Sequence, residues 1–419
     1  MACDSYNRTA EDIALLSSLG AKAYRFSISW TRIIPQGGRN DPINQAGIDH
    51  YVKLVDDLLA AGIMPFVTLL HWDVPQKLEE RYGGLLNRTE FPLDFRNYAR
   101  VVFSALPRVK HWVTFNEPWC SSILGYSIGV FAPGHNENAD TEPWTAGHNL
   151  IVAHGHAVDV YRKEFKAQHQ GEIGIVLNGD AVFPWDPTDP ADVEACERKL
   201  EFSISWFADP IYFGDYPASM RKQLGDRLPT FTLEERALVK GTNDFYGMNH
   251  YTANYVKHRA ESPLENDFLG NLEVLFHNKR SDCIGQETES AWLRPCAPGF
   301  RDLLVWLSKR YGYPKIYVTE NGTSIKGEND LPRKQILEDD FRVQYYEEYV
   351  KAMAVASAFD GVNVQGYFAW SLMDNFEWAE GYRTRFGVCY VDYENEQRRY
   401  PKKSAKLLES LIENLIRKA

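Results

Sequence analysis

The chain has 419 residues, of which 44% are hydrophobic, 25% charged and 13% aromatic. This composition is typical of a globular protein and excludes a disordered or fibrous one. Its 46 Lys and Arg against 57 Asp and Glu give a net charge of −11, which argues against nucleic acid or an anionic membrane as the main partner. A small uncharged ligand is therefore expected.

Short β-rich runs alternate with amphipathic helical segments along the whole chain. Seven strands are predicted, at residues 23–30, 64–72, 111–117, 172–178, 244–252, 315–320 and 364–373. The last helix is predicted at 404–417. A repeat of strand and helix predicts a parallel sheet covered by helices, either an open doubly wound sheet or a closed (β/α)8 barrel. Seven strands and eight helices favour an α/β TIM barrel in which only seven of the eight strands are evident.

No linker-like or low-complexity stretch divides the chain, so residues 1–419 are predicted to form a single catalytic domain. No apolar run approaches the roughly 18 residues of a membrane span, and residues 1–7 lack the pattern of a signal peptide. A cytoplasmic protein is therefore expected. Cys283 and Cys296 could pair across a loop, although a reducing compartment would keep both thiols free.

Two predicted strands end in a glutamate, Glu117 in TFNEP and Glu320 in VTENG. In a barrel the carboxyl ends of all strands surround one mouth, so the two carboxylates are expected to face each other there. Cleavage of a glycosidic bond needs one carboxyl group that stays protonated and one that stays ionised. A single Glu at a strand end is more often a solvated surface residue or one half of an ion pair. Two at matched positions favour catalysis.

The first predicted strand alternates apolar residues with Arg25, Ser27 and Ser29. Because its apolar face suits the surrounding helices, Arg25 is expected to point into the barrel. A guanidinium group there needs an anionic partner, and an ionised nucleophilic carboxylate would serve. The alternative is a structural ion pair with some other acid.

Aromatic and polar residues cluster after two further strands, as His71 and Trp72 after one, and Trp370, Glu377 and Trp378 after the last. Indole rings stack on the C–H faces of sugars, while His and Glu bond to hydroxyl groups. No HExxH, GxGxxG or Walker A motif is found, so neither a metal nor a nucleotide cofactor is predicted.

Five motifs together resemble glycoside hydrolase family 1, and within it the intracellular β-glucosidases of filamentous fungi. They are YRFSISWTRI from Tyr24, HWD from His71, TFNEP from Thr114, YVTENG from Tyr317 and YFAWSLMDNFEW from Tyr367. The resemblance extends over about residues 2–418.

The resemblance implies a retaining, double-displacement hydrolase that removes terminal β-D-glucosyl residues from cellobiose, short cello-oligosaccharides and aryl β-glucosides. It implies that Glu117 is the acid/base, that Glu320 is the nucleophile, and that Arg25 and Tyr251 support Glu320. The implied substrate-binding residues are His71, Trp72, Asn116, Asn249, Trp292, Trp370, Glu377 and Trp378. Trp292 would lie on the aglycone side.

The sequence departs from the family at its start. Family members begin with a strand containing Gln-Ile-Glu-Gly, whose Gln binds the same glucose hydroxyls as Glu377, and this segment is not found before Ala2. The alternatives to an active β-glucosidase are therefore a non-catalytic or inactive sugar-binding form of the barrel, and a β-galactosidase or β-fucosidase of the same family. No oligomeric state is predicted.

Overall fold

A computed structural model describes residues 2–415. Residue 1 and residues 416–419, which include the end of the predicted 404–417 helix, lie outside the described residues. The strands are β1 (Ala23–Ser27), β2 (Met64–Leu70), β3 (His111–Asn116), β4 (Glu172–Asn178), β5 (Ala181–Pro184), β6 (Tyr246–Asn249), β7 (Ala253–His258), β8 (Leu272–Leu275), β9 (Ile316–Asn321), β10 (Val364–Ala369), β11 (Cys389–Asp392) and β12 (Arg398–Pro401).

The α-helices are α1 (Thr9–Ser18), α2 (Trp30–Ile33), α3 (Gln45–Ala60), α4 (Gln76–Tyr82), α5 (Glu90–Ala105), α6 (Pro118–Tyr126), α7 (Glu142–Val160), α8 (Lys166–His169), α9 (Pro190–Leu200), α10 (Trp206–Tyr212), α11 (Ala218–Leu224), α12 (Leu233–Val239), α13 (Ala297–Arg310), α14 (Arg333–Ile336), α15 (Asp340–Phe359) and α16 (Lys403–Leu415). Helices α7 and α9 each run into a single π-helical segment, at Tyr161–Phe165 and Glu201–Ser205. These segments separate α7 from α8 and α9 from α10.

Seven strands form one parallel sheet in the order β1-β2-β3-β4-β6-β9-β10. They are the seven strands predicted from the sequence, so the predicted α/β barrel with seven strands is confirmed as a nearly closed sheet. Within residues 2–415, β1 and β10 each have one neighbour in this sheet. The first strand is shorter than predicted, because the chain turns after Ser27 and helix α2 begins at Trp30.

The amino-terminal half of the barrel interior is filled with aromatic rings. Phe66 on β2 lies with its ring centroid 5.5 Å from that of Phe245, 5.2 Å from Tyr317 and 5.1 Å from Phe368. These edge-to-face contacts are the arrangement that aromatic pairs prefer. His111, the first residue of β3, also stacks on Phe66 at 5.1 Å, so rings fill this half of the interior.

A buried group of six charged residues comes from the segments before and after the last barrel strand, β10, and we call it the C-terminal charge network. Arg342 contacts Glu328 at 2.8 Å, Lys402 contacts Glu328 at 2.9 Å, and Lys402 also contacts Asp374 at 3.1 Å. Burial alone would raise the pKa of Glu328, but Arg342 and Lys402 lower it to about 2. The three acids and three bases of the network are Glu328, Asp339, Asp374, Arg342, Arg385 and Lys402.

All six cysteines lie within the described residues and all are free thiols. The possible pairing of Cys283 with Cys296 is therefore not formed, and the Cys283 thiol instead donates to the carbonyl of Gly285 at 3.1 Å. Across residues 2–415, every helix is too short or too polar to cross a membrane.

Candidate active site

The polar residues predicted from four separate strands meet at the carboxyl end of the barrel. Arg25 comes from β1, Asn116 from β3, Asn249 from β6 and Glu320 from β9. Glu117 directly follows β3 and precedes Pro118, the first residue of α6. Each side chain reaches the same space because parallel strands all end at one mouth.

Glu320 accepts a hydrogen bond on each carboxylate oxygen. Arg25 Nη1 donates to Oε1 at 2.6 Å, and the Tyr251 hydroxyl donates to Oε2 at 2.5 Å. Arg25 also donates from Nη2 to Asn116 Oδ1 at 2.6 Å, so the guanidinium is held from two sides. The carboxyl group is buried, and its side chain is 5% exposed. Both oxygens of this buried carboxylate are therefore held by donors, one of which is a cation.

Glu117 has different surroundings, since none of the described residues forms an ion pair with it. Asn249 Nδ2 donates to Oε1 at 2.8 Å, and Cys120 Sγ lies 3.2 Å from Oε2. Burial and, second, the nearby Glu320 carboxylate raise the pKa of Glu117 to about 8. Two carboxyl groups in one cavity thus differ, one paired with a cation and one with neutral donors.

Three residues of the cavity have left-handed backbone conformations, which non-glycine residues seldom adopt. Their φ angles are +76° at Trp72, +45° at Glu117 and +45° at Trp378. Such conformations cost of order 1–3 kcal/mol each and are concentrated at functional sites. Here they occur where the chain leaves a strand or turns in a loop.

His71 and Trp72, after β2, are tied to the end of β3. His71 Nε2 lies 3.1 Å from Asn116 Nδ2, and Trp72 Nε1 donates to the Asn116 carbonyl at 3.0 Å. Burial and the Arg25 charge hold the pKa of His71 well below its usual value of 6.5. The ring is therefore neutral, and because Nε2 accepts from the amide, Nδ1 carries the proton and can donate to a ligand.

Aromatic rings line one side of the cavity. The His71 ring is stacked 5.9 Å from Trp370 and 5.9 Å from Trp378, and Trp72 lies 4.7 Å from Trp378. Glu377, beside these rings, has its pKa raised to about 8 by burial and then by Glu320. These residues combine apolar faces with hydrogen-bonding groups, which suits a sugar.

Trp292 occupies the outer edge of the cavity. It is 46% exposed, and its ring lies 5.7 Å from Tyr251 at an interplanar angle of 84°. The structure therefore brings all twelve sequence-predicted site residues to one cavity, with Trp292 as its most exposed member.

Three residues of the cavity were missed from the sequence. Thr319 donates to Asn249 Oδ1 at 2.7 Å, Cys120 contacts Glu117, and the Phe131 ring lies 5.2 Å from Trp72. Cys120 stands three residues after Glu117 at the start of a helix, a spacing that places neighbours on one face. Phe131 lies in a loop and follows no strand, so no periodicity pointed to it.

The acidic side chains of this cavity, with His71 and Cys120, are not arranged as metal ligands. Between residues 2 and 415, no group of three or more His, Cys, Asp or Glu side chains is arranged to hold a metal ion.

Comparison with known proteins decides the family. The profile described as Glycosyl hydrolase family 1 matches residues 1–415. The chain belongs to glycosyl hydrolase family 1. It is 54% identical to β-glucosidase 1B of Phanerodontia chrysosporium over 97% of this chain and 76% of that protein.

Solved structures of two fungal β-glucosidases share the fold of this chain. The β-glucosidase of Trichoderma harzianum is 71% identical with a TM-score of 0.98, covering 99% of this chain and 88% of that one. A β-glucosidase of Humicola insolens in complex with glucose is 70% identical with a TM-score of 0.99, covering 100% of this chain and 89% of that one. The family and fold inferred from the motifs are thereby confirmed.

Proposed function

We propose that Glu320 is the nucleophile and Glu117 the acid/base of this retaining β-glucosidase. One observation carries the assignment of roles. The cation Arg25 contacts Glu320 directly, whereas the hydrogen-bond donors to Glu117 among residues 2–415 are the Asn249 amide and the Cys120 thiol. A nucleophile must be ionised and an acid protonated, and these surroundings favour those two states.

In the first step, Glu320 attacks the anomeric carbon of a terminal β-glucosyl residue while Glu117 gives its proton to the glycosidic oxygen. The bond from carbon to the leaving oxygen breaks, the aglycone departs as an alcohol, and a glucosyl ester forms on Glu320. A pKa of about 8 keeps Glu117 protonated at neutral pH. Tyr251 and Arg25 hold the Glu320 oxygens in place for the attack.

In the second step, the same groups act in reverse. Once Glu320 is an ester, its negative charge no longer raises the pKa of Glu117, so the Glu117 carboxylate left by the first step can stay ionised and accept a proton. It takes a proton from water, the resulting hydroxide attacks the anomeric carbon, and the ester bond breaks. Two displacements at one carbon leave the product in the β configuration.

The glucose residue is proposed to lie against the aromatic side of the cavity, with Trp370 and Trp378 as its apolar contacts. His71, Asn116 and Glu377 supply hydrogen-bonding groups within the same space. Trp292, half exposed at the rim, is proposed to contact the aglycone. The expected substrates are neutral, namely cellobiose, short cello-oligosaccharides and aryl β-glucosides. The Humicola insolens relative was solved with glucose, which agrees with this choice.

The proposal is tested with purified protein and two glutamate variants. Glu320→Ala is expected to abolish release of glucose from cellobiose and nitrophenyl β-glucoside, because no ester can form. Glu117→Ala is expected to slow cellobiose hydrolysis by about 10²–10⁴-fold, the usual contribution of a general acid. A dinitrophenyl glucoside, whose leaving group needs little protonation, should be cleaved in the first step almost as before.

The matched control is Glu338→Ala, because Glu338 is exposed and lies outside the cavity. It should leave both rates unchanged. Wild-type protein that binds glucose in a calorimeter but releases none from any glucoside would contradict the proposal and favour a non-catalytic sugar-binding protein. A higher kcat/KM for nitrophenyl β-galactoside or β-fucoside than for the glucoside would instead identify the chain as a β-galactosidase or β-fucosidase.

We also propose that the chain acts as one catalytic domain in a reducing compartment, the cytoplasm. Residues of the cavity come from strands between β1 and β10, which supports a single unit. Six free thiols, two of them Cys283 and Cys296, support a reducing environment.

A further inference from the structure

The side chain that forms a hydrogen-bond contact with Oε2 of the acid/base is a thiol. Cys120, in the first turn of α6, is 8% exposed, and its Sγ lies 3.2 Å from Glu117 Oε2. The other oxygen of Glu117 is already bonded to Asn249. The Cys120 contact is therefore directed at the second oxygen of the carboxyl group.

A thiol is a weak hydrogen-bond donor and a weak acceptor, whereas a hydroxyl is a strong donor. Burial and, second, the Glu117 carboxylate hold the pKa of the Cys120 thiol well above its usual value, so its proton stays on sulfur. A donor at this place stabilises the ionised form of Glu117 and so lowers its pKa. A strong donor would assist the base step but would hinder the acid step.

The charged and titratable groups around this contact come from several elements. Toward Glu117 they are Glu320, Arg25 and Tyr251, and toward Cys120 they are Asp180 and Glu320. Asp180 in turn lies near the buried Lys199. A substitution at position 120 leaves all of these residues in the chain. The effect of the thiol can therefore be tested separately from theirs.

We propose that Cys120 is a positioning residue that holds the Glu117 carboxyl group and, as a weak donor, lets it work both as acid and as base. The inference rests on the proposed role of Glu117. It predicts that the strength of the donor at position 120 sets the upper pH limit of the first chemical step.

The experiment measures kcat/KM for cellobiose against pH in the wild type, Cys120→Ala and Cys120→Ser. Cellobiose is chosen because its leaving group needs the proton of Glu117. Removing the donor in Cys120→Ala should move the basic limb of the profile to higher pH by at least about 0.5 unit. The stronger hydroxyl donor of Cys120→Ser should move it to lower pH. Cys196→Ser, a partly buried cysteine of α9, serves as the control and should not move the limb.

Opposite shifts by Ala and Ser would support the proposal, because a purely packing role lowers activity without moving a pH limb in two directions. The proposal would be overturned if the basic limb of the kcat/KM profile lay at the same pH in both variants as in the wild type. If Cys120→Ala fails to fold, the Cys120→Ser profile alone decides. Wild-type protein without hydrolytic activity would instead contradict the proposed function, so the two failures are distinguishable.

Discussion

Two groups of buried charges in this molecule differ in their balance. The C-terminal charge network has three acids and three bases, and every acid in it contacts a base. The active-site cavity also has three buried or nearly buried acids, Glu117, Glu320 and Glu377, but Arg25 is its one ion-pairing base among the described residues, and it contacts Glu320.

The pKa values follow this difference. In the network, Arg342 and Lys402 lower the pKa of Glu328 to about 2 despite its burial. In the cavity, burial raises the pKa of Glu117 and of Glu377 to about 8. A balanced group fixes its protonation and serves structure, while an unbalanced group keeps protons that can be transferred. The cavity thus buries acids without a base for each, which is unfavourable for stability but leaves protons available for catalysis.

The largest expected effect on stability comes from removing one cation of the C-terminal charge network. Lys402→Met leaves the buried Glu328 and Asp374 without one of their cations. Breaking a buried pair in this way costs about 3–5 kcal/mol, measurable as a lower free energy of unfolding in urea. Lys403→Met is the matched control, because Lys403 pairs with the exposed Asp340 and a surface pair is worth about 0–1 kcal/mol. Equal stability of the two variants would contradict the structural role of the network.

A comparable change in the cavity should affect catalysis more than stability. Arg25→Met removes the cation from Glu320 and a donor from Asn116. We expect kcat/KM for nitrophenyl β-glucoside to fall about 10²–10³-fold, the usual loss when one electrostatic partner of a transition state is removed. Arg81→Met, which breaks the half-exposed pair with Asp41, should leave kcat/KM unchanged. A rate close to wild type in Arg25→Met would mean that Glu320 does not depend on this cation.

A third expected effect is a dependence of stability on pH. Glu377 has a higher pKa in the folded protein than its ordinary value of 4.5, so between about pH 5 and 8 the folded state binds more protons than the unfolded state. Stability from this group is present at low pH and is lost as pH rises toward 8, by up to about 1.4 kcal/mol per pH unit.

Glu377→Gln removes this dependence. The wild type should therefore lose stability relative to Glu377→Gln as the pH rises from 5 to 8, in urea unfolding at each pH. The exposed Glu338→Gln should show a constant difference from the wild type. A constant difference for Glu377→Gln as well would contradict the raised pKa.

Much of the fold and the cavity could be predicted from the sequence because both follow from local patterns. The alternation around Arg25 and the strand ends at Glu117 and Glu320 are short-range signals, and the barrel topology brings strand ends together. The same alternation predicts a first strand that reaches residue 30, because it continues into the turn where helix α2 begins.

Contacts between distant segments could not be predicted in this way. Lys402 and Asp374 have no local pattern that joins them, and the network appears only in the folded chain. Phe131 reaches Trp72 from a loop, and loop conformation is not encoded by periodicity. Cys120 had a local signal in its spacing from Glu117, but a buried cysteine usually serves only packing.

The assignment of Glu320 as nucleophile is tested most directly by trapping the glucosyl ester. A dinitrophenyl 2-deoxy-2-fluoro-β-glucoside lacks the 2-hydroxyl whose hydrogen bonds stabilise the transition states, and its leaving group departs without an acid, so the ester should accumulate. Mass spectrometry of the intact protein and its peptides should find one fluoroglucosyl group, on the peptide that contains Glu320. A label on Glu117, or turnover of the glucoside with no labelled protein, would contradict the account.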